Sequence, residues 1–144
     1  EVALRCEPTL LGGVVLDGRI DRIDEHPASG MRQLIDYKTG SLQALKRKVA
    51  TPLEDTQLAF YAALLGGGGP LRAIYLALDD RKQPQAVEHP DVQASATALL
   101  EGLAHDLARL REGAGLPALG EGSTCDYCEA RGLCRRDHWG EVAA

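Results

Sequence analysis

Two neighbouring segments of the sequence alternate apolar and polar residues and are separated by a short turn. The first is VVLDGRIDRID, residues 14–24, and the second is RQLIDYKTG, residues 32–40. Alternation with a period of two is typical of half-buried strands. Between them, HPASG contains Pro27 and Gly30, which favour a tight turn. The sequence therefore predicts an antiparallel hairpin in which the Asp21 segment lies beside the Asp36 segment.

The rest of the sequence adds further strands and two helices to this hairpin. A strand is predicted at 2–6 and a buried strand at 71–78. A helix is predicted from Thr51-Pro52 to Leu65, where GGGG and a proline end it, and a second from Pro90 to about Arg111. This order of elements predicts an α/β fold with a mixed sheet flanked by helices.

The length of 144 residues fits one domain with a core of ordinary size. We expect a folded core at 1–116 and an irregular cysteine-bearing tail at 117–144, because the tail is poor in apolar residues. The chain begins with Glu1, directly in strand-like sequence, so we expect the core to be truncated at its N-terminus. No apolar run is long enough to cross a bilayer, so we expect no membrane association.

Charge along the chain is unevenly distributed. The formal net charge is −5, which argues against binding nucleic acid through bulk electrostatics. Phosphate contacts are made by local patches, however, and a basic path on an acidic body satisfies them. The residues that could form such a path are Arg19, Arg22, Arg32, Lys38, Lys46, Arg47, Lys48, Arg131, Arg135 and Arg136.

Carboxylates and a lysine are predicted to converge at the ends of the two hairpin strands. Asp36 and Lys38 lie two residues apart and therefore share one face, while Tyr37 points the other way. With Asp21 alongside, two carboxylates and an ammonium could hold a hard cation such as Mg²⁺ and act on a phosphate. The alternative is a surface hairpin with ordinary ion pairs. Gln57 and Tyr61, four residues apart, share a face of the following helix.

The combination GRIDRID, IDYKTG and QLAFYA resembles the RecB-type nucleases of the PD-(D/E)XK superfamily, over residues 14–139. The resemblance implies a restriction-endonuclease-like core that uses Mg²⁺ or Mn²⁺. It implies that Asp21, Asp36 and the Tyr37 carbonyl bind the metal, that Lys38 acts on the attacking water, and that Gln57 and Tyr61 support the site and contact DNA. Family members usually carry a further metal-binding His upstream, so we expect this fragment to be weakly active or inactive.

The resemblance to RecB-type nucleases also implies a function. It implies a DNA exonuclease acting on single strands or ends in repair or recombination, in the bacterial cytoplasm, with a helicase domain or subunit as partner. GGGG at 66–69 lacks the Lys-Ser/Thr ending of a phosphate-binding loop, so any unwinding is expected to come from that partner. The rival interpretation is a catalytically inactive nuclease-fold module for DNA binding or complex assembly.

The tail sequence CDYCEARGLCRRDHW has a cysteine spacing that favours a metal site over disulfides. In related nucleases, three such cysteines and an upstream one bind a [4Fe–4S] cluster. Here these are Cys125, Cys128 and Cys134, and Cys6 is either the fourth ligand or an ordinary strand cysteine. The alternatives are Zn²⁺ held by the same three cysteines and His138, and cysteines that bind no metal.

Overall fold

The computed structural model describes residues 1–78, 83–115, 125 and 128–134. The chain divides into two compact units, Glu1–Asp106 and Leu107–Ala144. The first unit contains the hairpin, both sheets and the residues that the sequence analysis singled out at the strand ends. Within the described part of the chain, no helix combines the length and apolarity that crossing a membrane would require.

The strands form two sheets. A two-stranded antiparallel sheet pairs β1 with β2, and a four-stranded mixed sheet has the order β3-β4-β5-β6. In the mixed sheet β4 runs parallel to β5, whereas the two outer pairs are antiparallel. The strands are β1 Val2–Cys6, β2 Leu16–Ile20, β3 Arg22–Glu25, β4 Arg32–Lys38, β5 Leu71–Ala77 and β6 Gln85–Glu88.

The predicted hairpin is present, but its first strand is not continuous. The pairing of β3 with β4 aligns Arg22 with Ile35, and the turn is closed by a hydrogen bond from the His26 N–H to the Met31 carbonyl. The prediction of one strand over 14–24 is wrong because the chain changes partner at Asp21. Up to Ile20 it pairs with β1, and from Arg22 onward it pairs with β4.

Helices connect and cover the strands. They are α1 Leu42–Ala50, α2 Gln57–Leu65, α3 Val92–Arg111 and α4 Arg131–Cys134, and one turn of 3-10 helix forms at Thr9–Leu11. The prediction that α2 starts at Thr51-Pro52 is wrong. Residues 51–55 form a turn in which Leu53 adopts φ 62°, a left-handed conformation that interrupts a helix. The Asp55 carboxylate then accepts from the Gln57 N–H where α2 begins.

Helix α2 covers the core of the first unit. It contacts β1 and β2 of one sheet and β4 and β5 of the other, so the two sheets share one helix. The largest fully buried side chains include Leu58 on this helix and Tyr75, Ile20 and Leu34 on the strands. The predicted fold class, a mixed α/β restriction-endonuclease-like core, is confirmed by this architecture.

Candidate active site at the β2–β3 break

Asp36 and Lys38 lie near the C-terminal end of β4, on the same face of the sheet. Asp36 is 2% exposed, and its neighbour across the parallel pair is Tyr75. The Lys38 ammonium lies 2.6 Å from Asp36 Oδ2, but the direction of approach is not that of a hydrogen bond. Asp36 Oδ2 therefore has an ion-pair partner and no hydrogen bond among the described residues.

The first turn of α2 holds the other oxygen of the same carboxylate. The Gln57 amide donates to Asp36 Oδ1 at 2.8 Å and to the Tyr61 hydroxyl oxygen at 2.9 Å. The Tyr61 hydroxyl in turn lies 3.4 Å from Asp36 Oδ1, to which it donates. Because residues four apart face the same way on a helix, one turn of α2 presents both groups to Asp36.

Asp21 lies at the break between β2 and β3. Its Oδ2 accepts a hydrogen bond of 2.9 Å from the Tyr37 N–H, which lies beyond Ile35, the last residue of β4 that pairs with β3. The carboxylate thus takes the place of a missing strand partner. In an antiparallel ladder the N–H and C=O of one residue point to the same neighbour, so the Tyr37 carbonyl is directed to the side where Asp21 lies.

The charges of these groups change the pKa of the Tyr61 hydroxyl. Burial raises the pKa of Tyr61, and the negative charges of Asp36 and Asp21 raise it further. The hydrogen bond from Gln57 and the positive charge of Lys38 act in the opposite direction. Tyr61 consequently stays protonated and remains a donor to Asp36. The other four predicted side chains therefore all act on the Tyr61 hydroxyl, either by contact or by charge.

The residues present fit a hard divalent cation. Asp36 Oδ2 is desolvated and accepts no hydrogen bond from a described residue, so besides the Lys38 contact it has lone pairs that a cation could take. Asp21, Asp36 and the Tyr37 carbonyl offer the oxygen ligands that Mg²⁺ prefers, and such sites usually need only one or two carboxylates. No group of three or more His, Cys, Asp or Glu side chains that could hold a metal occurs in the described part of the chain.

Two residues that the sequence analysis did not select, Tyr75 and Asp55, lie beside this site, together with Lys48 of the predicted basic path. The Tyr75 hydroxyl donates to Asp55 Oδ1, and the Lys48 ammonium lies 2.6 Å from Asp55 Oδ2. Asp55-Thr56 before an apolar run is a signal for a helix start and could have indicated Asp55. A tyrosine inside the buried strand LRAIYLAL needs a partner for its hydroxyl, which could have drawn attention to Tyr75.

The cysteines do not form a metal site within the described residues. The Cys6 thiol donates to the Ala63 carbonyl on α2 at 3.7 Å. Cys125 and Cys128 are joined by a turn in which the Cys128 N–H donates to the Cys125 carbonyl at 3.4 Å. Cys134 ends α4, while His138 lies outside the described residues. Among the described residues, the structure therefore brings no three cysteines together as a metal site.

Comparison with known proteins agrees with the fold. The family model of the PD-(D/E)XK nuclease superfamily matches residues 1–135. The chain therefore belongs to the PD-(D/E)XK nuclease superfamily. Comparison with curated proteins and with solved structures found no match.

Proposed function

We propose that this chain hydrolyses DNA phosphodiester bonds with the help of a divalent cation. The observation that carries the proposal is the state of Asp36. It is almost fully buried, and Gln57 holds one oxygen. Among the described residues, the Lys38 ammonium is the one polar partner of the other oxygen. Membership of a nuclease superfamily supports the same conclusion.

The proposed cation ligands are Asp21, Asp36 and the Tyr37 carbonyl. Gln57 donates to Asp36 Oδ1 and thereby leaves Oδ2 directed away from the amide. When bound, Mg²⁺ or Mn²⁺ would offset the negative charge that develops on the phosphate during hydrolysis. Tyr61, which stays protonated, would keep the Asp36 carboxylate in place through its own hydroxyl.

Lys38 is the proposed catalytic residue for the attacking water. Its side chain is 27% exposed, so substrate and water can reach the ammonium while its stem stays against the protein. In the reaction the water oxygen forms a new P–O bond and the ester P–O bond to the leaving strand breaks. The proton lost by water reaches the leaving oxygen or the solvent. The ammonium orients the water and stabilises the developing charge.

The proposed substrate is single-stranded DNA or a DNA end, in repair or recombination. The likeness of the GRIDRID, IDYKTG and QLAFYA motifs to RecB-type nucleases supports this choice, as do the exposed basic residues of α1, which begins four residues after Lys38. A helicase domain or subunit would supply such strands, and the bacterial cytoplasm is the proposed location.

A cleavage assay tests the proposal directly. Wild-type protein, Lys38→Ala and Arg5→Ala are each mixed in excess with linear or circular single-stranded DNA that is fluorescently labelled, with Mg²⁺, Mn²⁺ or a chelator. Arg5→Ala is the control, because Arg5 is exposed on β1 and has no proposed role. We expect wild type and Arg5→Ala to degrade linear DNA only when metal is present. Lys38→Ala should be slower by about 1,000-fold.

The possible results separate the proposal from its rival. Cleavage of linear but not circular DNA supports an exonuclease, and cleavage of circles supports an endonuclease instead. DNA binding without metal-dependent cleavage by wild type would contradict catalysis and favour a module for DNA binding or assembly. Equal rates for wild type and Lys38→Ala would remove Lys38 from the mechanism.

For the cysteines we propose a [4Fe–4S] cluster on Cys125, Cys128 and Cys134, with Zn²⁺ as the alternative. The support is the cysteine spacing alone, and no step of the reaction depends on the cluster. Anaerobically purified protein should be brown, contain iron, and lose both the colour and the iron in Cys125→Ser. Colourless protein that contains zinc would favour the alternative, and protein without either metal would refute both.

A further inference from the structure

The Lys38 ammonium has a second neighbour besides Asp36. It lies over the ring of Tyr75, 5.4 Å from the ring centroid. Tyr75 is 0% exposed, and its Cα is paired with that of Asp36 across the parallel strands β4 and β5. Paired residues of neighbouring strands point to the same face, so the ring stands beside the carboxylate that Lys38 also approaches.

The ring is fixed from its far end. Its hydroxyl donates to Asp55, and burial followed by this hydrogen bond raises the pKa of Tyr75, so the hydroxyl stays neutral. Although burial acts to raise the pKa of Asp55, its hydrogen bonds with Lys48 and Tyr75 bring it below the ordinary value. Asp55 therefore stays negatively charged and is held in place by Lys48 and Tyr75.

Asp55 also contacts the start of α2, the helix that carries Gln57. Asp55 Oδ1 accepts from the Gln57 N–H at 3.3 Å, and Lys48 of α1 lies over the same ring, 5.8 Å from its centroid. The Tyr75 ring therefore touches groups from α1, from the turn before α2 and from β4. A ring held in this way has one orientation, which a flexible lysine side chain does not have by itself.

We propose that Tyr75 is a positioning residue for Lys38, an inference that rests on the proposed function. The Asp36 ion contact lacks hydrogen-bond geometry and so restricts the ammonium poorly. The negative face of a buried aromatic ring attracts an ammonium and limits where it can lie. Asp36 and the ring together confine the ammonium to the carboxylate edge, where the attacking water is proposed to bind.

A spectroscopic test can be made without any cleavage assay. The chain has four lysines, so ¹³C-lysine labelling gives a small set of Cε–Hε signals, which Lys38→Arg and Lys48→Arg assign. Protons above a ring are shifted upfield. We expect the Hε signal of Lys38 to lie upfield of the Hε signal of Lys46, which is exposed on α1 and serves as the reference. The displacement should persist in Tyr75→Phe and disappear in Tyr75→Leu.

Kinetics complete the test. Tyr75→Phe keeps the ring, so kcat should stay within about threefold of wild type, whereas Tyr75→Leu should lower kcat about tenfold with KM unchanged. A Lys38 signal at the position of Lys46 in wild type would overturn the inference, as would equal kcat in the two variants. If Tyr75→Leu does not fold, the wild-type and Tyr75→Phe spectra still test the inference, because both should show the upfield displacement of the Lys38 signal. Failure of the proposed function appears differently, as absent cleavage with the displacement intact.

Discussion

At the scale of single residues, the two oxygens of the Asp36 carboxylate have different surroundings. Oδ1 accepts from Gln57 and Tyr61, whereas Oδ2 is buried beside Lys38 and accepts no hydrogen bond from the part of the chain that the structure describes. Strand and helix periodicities predicted that Asp36 and Lys38 share one face and that Gln57 and Tyr61 share another. That the two pairs meet was implied by the resemblance to RecB-type nucleases. The sequence analysis could not predict that Tyr75 contacts Asp55, since this contact joins β5 to a turn through the three-dimensional packing.

Gln57→Ala should weaken metal binding without changing the fold. The amide that holds Asp36 Oδ1 is lost, so the carboxylate is no longer oriented, and partners of this kind contribute about 10- to 100-fold to metal affinity. Calorimetric titration with Mn²⁺ measures the change. Gln93→Ala is the matched control, since the Gln93 amide also donates a hydrogen bond, to the Gly69 carbonyl. Equal Mn²⁺ affinity in the two variants would contradict the role of Gln57.

At the scale of elements, the fold depends on how closely α2 approaches β2 and on three features that the sequence analysis did not predict. Helix α1 was missed because its charged run, KRK, was interpreted as surface, although Ser41 caps it and Leu45 and Val49 are buried. Strand β6 was missed because only Val87 of its four residues is buried. The break at Asp21 follows from a change of pairing partner, which alternation alone does not reveal.

Gly18→Ala should destabilise the protein by about 1–3 kcal/mol. A Cβ at Gly18 would lie 2.7 Å from Leu64 Cδ1 and 3.2 Å from Phe60 Cε1, and Leu64 is itself buried and cannot easily move. Gly102→Ala is the control, because nothing lies within 4 Å of a Cβ there, and in helix α3 it should stabilise by about 1 kcal/mol. Urea unfolding measures both. A neutral Gly18→Ala would show that α2 and β2 are not tightly packed.

His89 should make stability depend on pH at the start of α3. Its Nδ1 accepts from the Asp91 N–H, and burial lowers the pKa of His89 below its ordinary value of 6.5, against the opposing charges of Asp91 and Asp55. Below pH 6.5 the unfolded chain binds a proton that the native state resists, so the free energy of unfolding falls as the pH falls, and the contribution is fully present above that pH.

His89→Asn keeps an acceptor near Nδ1 but does not titrate. Its free energy of unfolding, measured by urea titration at several pH values from 7.5 to 5, should therefore fall less steeply than that of wild type. Parallel curves for the two proteins would show that His89 titrates as it does in the unfolded chain.

At the scale of the whole molecule, an acidic chain is proposed to bind a polyanion. The net charge of −5 opposes this, so binding must come from a local patch. Lys46 and Arg47 are exposed on α1, and neither forms an ion pair with any described residue. Lys48, by contrast, is engaged with Asp55. The two unpaired cations are therefore the proposed phosphate contacts nearest in sequence to Lys38.

The double variant Lys46→Ala/Arg47→Ala should weaken binding of single-stranded DNA and lower its dependence on salt. Each lost phosphate contact reduces the slope of log K against log salt concentration by about one, so the slope should fall by about two. Fluorescence anisotropy at several salt concentrations measures the slope. An unchanged slope would place the DNA elsewhere on the protein.

The central claim is that Asp21 and Asp36 hold one divalent cation at the point where the chain passes from one sheet to the other. Anomalous diffraction from a crystal soaked in Mn²⁺ tests it most directly. The account predicts a peak about 2.1 Å from a carboxylate oxygen of each of the two aspartates, with the Tyr37 carbonyl as a further ligand. A structure in which manganese at saturating concentration binds only elsewhere would contradict it.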